Sequence, residues 1–198
     1  MTASTLLPVF GKIDRANLLI AERRRAVERQ FQTRRLDHFA RTGDSMSWIR
    51  NLSEIAPAAD DAVPTDGWPE AFAALTDVAD AFLVSSDAER AELSTRFAAA
   101  SALADGHVGY FARASAELGA TRDAVWLRRS LALAALAAGG SDYRDEHLAL
   151  DGLGAAARAC GVDPAPEFRR VAALASASTP FGHGPTSVRD SLMRLARR

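Results

Sequence analysis

An all-α fold follows from three features of this 198-residue sequence. Alanine and leucine dominate its apolar residues and form helices readily, whereas the β-branched and aromatic residues that favour strands are scarce. No run alternates apolar with polar residues in the two-residue period of a strand. Apolar residues recur instead at spacings of three and four, between groups of Ser, Asp, Gly and Pro where helices start and stop.

The first element is one long helical pattern. Ile13, Asn17, Ile20, Val27, Phe31 and His38 repeat at helical spacing, with Arg23, Arg24, Arg25, Arg29, Arg34 and Arg35 around the rest of the surface. So narrow a stripe buries little by itself, and the helix is expected to lie on the C-terminal body or on a second copy of the chain. Gly43 closes it, and Asp44 or Ser45 can cap a short helix with Trp48, Ile49, Leu52 and Ile55 on its apolar face. Residues 56–67, APAADDAVPTDG, show no helical face and read as a linker. The division expected is a basic helical arm at 1–55, the linker, and a helical array at 68–198.

Within the array, Pro69 suits a first helical turn, and Phe72, Leu75, Ala79 and Phe82 give the helix after it an apolar face. Ser86 and Glu89 form a capping box for a helix carrying Leu93, Phe97, Ala100 and Leu103, which Ala104-Asp105-Gly106 is expected to stop. The next helix runs from His107 to Gly119. Thr121 is expected to open another, which contains Trp126 and ends at Gly139-Gly140. The stretch SDYRDEH at 141–147 has the composition of a helix start: Ser141 or Asp142 as cap, and Asp145 and Glu146 facing the positive end of the dipole. That helix continues through Leu150, Leu153, Ala157 and Cys160 to Gly161. Asp163 and Pro164 begin one more, and Ser187 with Asp190 boxes the start of the last. Pairs of these starts recur every 35 to 42 residues, so the array resembles, in spacing alone, a short HEAT-like or tetratricopeptide-like stack. An antiparallel bundle fits the same lengths.

The net charge of −1 gives no global attraction to nucleic acid or an anionic membrane. Its distribution is uneven. Residues 1–50 hold ten basic and five acidic groups, and 51–110 hold two and eleven, so the acid-rich stretch can pair with the arginines within the chain or across a dimer. Lys12 is the only lysine, a bias that a high-GC bacterial genome produces without selection for arginine chemistry. One cysteine, Cys160, and four scattered histidines give no zinc-ligand spacing, so neither a metal nor another cofactor is expected. No stretch is long and apolar enough to span a membrane, and no secretory leader precedes the first helix, so a cytoplasmic protein is expected.

No GxSxG, Walker A or dinucleotide-binding glycine pattern is present. If a reactive site exists, it would draw on His107, Tyr110, Tyr143, Asp145 and His147, which neighbouring helical hairpins could bring to one pocket. Tyr143 and His147 also fall on the stripe Leu150, Gly154, Ala157, which makes them ordinary edge-of-core residues. Nucleic-acid binding by the arginine helix is disfavoured by the interrupting Glu22, Glu28 and Asp37. The favoured reading is therefore non-enzymatic: an adaptor or regulatory module that binds a protein partner or itself through the arm and the grooves between helices. Arg24, Phe31, Arg35 and Trp48 are its expected anchors, since aromatic and arginine side chains contribute most when buried at interfaces.

Overall fold

A computed structural model describes residues 6–43, 68–100, 102–138, 143–176 and 186–197. These form eight helices and no strand: α1 (Leu7–Thr42), α2 (Trp68–Val84), α3 (Asp87–Ala99), α4 (Leu103–Thr121), α5 (Val125–Ala137), α6 (Tyr143–Ala159), α7 (Ala165–Leu174) and α8 (Val188–Leu195). The linker at 56–67 and the short helix expected around Trp48 lie outside the described residues.

α5 is the axis of the body. Its Leu127, Leu131, Ala132, Leu133, Ala134 and Leu136 are all buried, a distribution that points apolar groups to every side. It packs against α2, α3, α4, α6 and α7, which is the arrangement of a bundle around a central rod. Two consecutive arginines tie it to two different neighbours. Arg128 grips both oxygens of Glu167 on α7 at 2.5 and 2.8 Å, and Arg129 grips both oxygens of Asp80 on α2 at 2.8 and 2.7 Å. A planar guanidinium meeting a carboxylate edge to edge fixes direction as well as distance.

α1 runs antiparallel to α2. Lys12 reaches Asp77 at 3.1 Å, Arg15 meets Glu70 at 2.7 Å, and Arg23 lies 5.1 Å from the ring centre of Trp68 at the start of α2. The expected pairing of early basic residues with the acid-rich stretch thus occurs within the chain, although Arg96 on α3 reverses it by pairing with Asp14 at 2.6 Å. Ile13, Ala16 and Ile20 enter the same core as α5. With a rise of 1.5 Å per residue, α1 is about 54 Å long and α2 about 25 Å, so α1 runs on well past the first turn of α2.

The capping box at Ser86 and Glu89 is present in full, and the Ser187 hydroxyl accepts the Asp190 N–H at 3.1 Å. Asp163 accepts the Ala165 N–H at 3.0 Å, as its position before Pro164 requires. Two boundaries differ from the sequence reading. Ala104, Asp105 and Gly106 do not stop a helix but lie inside α4, because α3 ends at Ala99 and α4 already starts at Leu103. There Asn17 of α1 accepts the Ala102 N–H at 2.9 Å, doing for α4 what a local cap would do. Thr121 does not open a helix either: it is the last residue of α4, and Arg122 follows in the left-handed region at φ 54° with its N–H on the Leu118 carbonyl. Asp123 then takes the Val125 N–H at 2.9 Å. Gly119, read as a stop, lies within α4, where an added Cβ would come 4.0 Å from the Cys160 sulfur.

Candidate functional site

The candidate surface is the face of α1 turned away from the body. At 100° per residue, Ile13, Ile20, Val27, Phe31 and His38 fall within about 40° of arc, and they form the inner face. Ile13, Ile20 and His38 are buried, and Val27 and Phe31 are half-buried. Leu18, Arg25, Arg29, Leu36 and Phe39 fall within about 80° of arc on the other side. All five are exposed, with Leu36 at 61%, Phe39 at 47% and Leu18 at 44% of their surface open. Two apolar side chains, Leu36 and Phe39, thus stand one turn apart near the end of a long helix, with Arg29 and Arg25 about two and three turns before Leu36. Arg25 is braced by its Nε donating to the Ala21 carbonyl at 3.3 Å, and Gln32 donates to Glu28 at 3.1 Å, so part of the polar surface is ordered.

The residues expected as anchors stand elsewhere. Phe31 is on the inner face and Arg35 beside it, both half-buried; Arg24 flanks the same face and is exposed. All three already interact within the chain. Trp48 lies outside the described residues. Leu18 and Leu36 had no place in the sequence reading, although their spacing opposite the Ile13–His38 stripe was the available signal.

Of the five residues proposed for a reactive pocket, only Tyr110 has a described side chain. His107 is in α4 and Tyr143, Asp145 and His147 are in α6, with their side chains outside the described residues. Tyr110 is fully buried. Its ring stacks on Phe72 at 4.6 Å, and Phe72 in turn stacks on Trp126 at 5.8 Å. The Arg129 guanidinium lies 4.9 Å from the Trp126 ring centre, and Arg113 lies 5.8 Å from that of Phe72. Thr76 spends its hydroxyl proton on the Phe72 carbonyl at 2.9 Å, so Tyr110 donates to Thr76 across 3.1 Å. Burial pushes the phenol up to about 12, and the phenol stays neutral across the physiological range. This cluster welds α2, α4 and α5 together; its polar atoms are engaged with one another.

Among the described residues no group of three His, Cys, Asp or Glu side chains is placed to hold a metal ion. No described helix is long and apolar enough to cross a membrane. Comparison with protein-family models, curated proteins and solved structures finds no match to the chain.

Proposed function

We propose that the protein is a non-enzymatic interaction module, of the adaptor or regulatory kind, and that it docks another protein through the outer face of α1. In this reading residues 1–55 are the arm, the helical body at 68–198 holds it by its first half, and the protein works in the cytoplasm. One observation carries the reading: Leu36 and Phe39 stand exposed one turn apart on a helix whose opposite face is covered. Exposed apolar side chains are unremarkable singly, but adjacent ones flanked by arginines have the composition of an interface centre.

The test uses point substitutions in the full chain, because Ile13, Ala16 and Ile20 belong to the core and removal of α1 would open the body. Leu36→Asp combined with Phe39→Asp leaves the inner face intact and should retain the helical circular dichroism of the parent. Quantitative affinity capture from the native host, alongside light scattering over a range of concentrations, should show a bound protein or a self-association that the double variant loses. A parent that is monomeric throughout and captures nothing beyond what the double variant captures overturns the reading.

A further inference from the structure

The charges along α1 distinguish its two halves. On the half that lies on the body, Lys12, Asp14 and Arg15 each meet an opposite charge from α2 or α3. On the half that runs past the first turn of α2, the outer face is different. A sector about 120° wide, centred on Leu36 and running from Arg25 to the end of the helix, holds Arg25, Arg29, Leu36 and Phe39, and the other side chains in it are uncharged. The nearest acids, Glu22, Glu28 and Asp37, lie before it or to either side, and Glu28 is engaged by Gln32.

Neither arginine is neutralised. Arg25 donates to the Ala21 carbonyl, which leaves its charge uncompensated, and Arg29 makes no ion pair among the described residues. Both are exposed, as are Leu36 and Phe39. The face thus offers two large apolar side chains and, about 10 and 16 Å along the axis from Leu36, two open positive charges. A second copy using the same face brings two more arginines and no carboxylate, so like charges oppose that pairing. Nucleic acid would satisfy the arginines through its phosphates. It would leave Leu36, an aliphatic side chain that cannot stack on a base, without an apolar partner.

We propose that the docking role of the outer face, on which this inference rests, is for an acidic amphipathic helix of another protein. Its apolar residues sit on Leu36 and Phe39, and its carboxylates, two to three turns away, on Arg29 and Arg25. Charge complementarity selects this occupant over a basic or neutral helix. The test selects, on the full-length protein, from a random display library of peptides of about 18 residues, long enough to reach from Phe39 to Arg25 as a helix. Selected peptides should be richer in Asp and Glu than the unselected library, with Leu, Ile or Phe at spacings of three and four. A synthetic copy of the most enriched peptide, followed by fluorescence anisotropy, should bind the Arg25→Glu, Arg29→Glu double variant about tenfold more weakly than the parent. It should lose most of its affinity for Leu36→Asp combined with Phe39→Asp. Helical circular dichroism unchanged in both variants ties these losses to the face. Peptides without an acidic excess, peptides that bind either variant undiminished, or a selection that yields none overturns the inference. So does finding that self-association or nucleic-acid binding, and no such peptide, depends on this face. The docking face itself stands or falls separately, on what the Leu36 and Phe39 variant loses in affinity capture and light scattering.

Discussion

α5 and α1 are both helices, yet they owe their form to opposite circumstances. α5 is 13 residues long, rich in Ala and Leu, and nearly all of it is out of water. α1 is 36 residues long and buries only Ile13, Ala16, Ile20 and His38. A helix wrapped on all sides is held by the packing of every residue. One that lies on the body along a single stripe is held by that stripe, by its salt bridges and by the propensity of its arginines and alanines. The body can therefore tolerate little change in α5, whereas α1 leaves most of its surface free to vary.

Leu131→Ala gives the largest effect expected from that contrast. It should cost about 2–5 kcal/mol by denaturant unfolding, since it leaves a cavity at the axis of the bundle; a loss under 1 kcal/mol would mean that α5 is not the axis. Tyr110 comes next. Its folded-state phenol is raised by burial to about 12 against an ordinary value near 10, so the neutral form is the one the fold favours. The stability this contributes is complete below about pH 10 and is lost as pH rises towards 12, on the order of 2 kcal/mol in all. Ultraviolet titration should show the late phenolate, and Tyr110→Phe should remove that alkaline step.

Asn17→Ala sharpens the contrast by isolating what α1 gives to α4. Loss of the acceptor for the Ala102 N–H should cost about 1 kcal/mol, and Asn17→Asp, which keeps an acceptor, should restore most of it. Arg15→Ala should cost less than Asn17→Ala, and less still in high salt, because the exposed pair with Glu70 is screened. In the parent, Arg15 holds the Glu70 carboxyl below its ordinary range through their hydrogen bond, so this contribution is present at neutral pH and fades as acid protonates Glu70. Smallest of all, Leu36→Ala should change stability by no more than about 0.5 kcal/mol, since its side chain is largely in solvent.

The sequence made the all-helical class plain, because helix formers, three-and-four spacing and local caps agree at Ser86, Asp163 and Ser187. Boundaries set by distant residues were not legible. Nothing near Ala102 announces that Asn17, 85 residues earlier, will accept its N–H, and without that partner Asp105-Gly106 is the natural place to read a stop. Arg122 likewise adopts a backbone conformation that composition alone assigns to glycine. For the candidate surface, the stripe from Ile13 to His38 correctly marked the covered side of α1. Ranking anchors by residue type then chose Phe31, Arg24 and Arg35, which lie on or beside that covered side, and passed over Leu18 and Leu36 opposite it. Arg128 and Arg129 were passed over as well, since a pair of adjacent arginines gains meaning only when Glu167 and Asp80 are brought within reach of it.

The bond from Asn17 to Ala102 also orders events in time. A chain emerging from the ribosome presents α1 before α4, and the amide that Asn17 serves belongs to a residue added 85 positions later. Closure of so long a loop waits on the completed body. Until α2 has been made, the nascent helix carries Ile13, Ala16 and Ile20 uncovered, making α1 a segment that a chaperone can hold before its own core can.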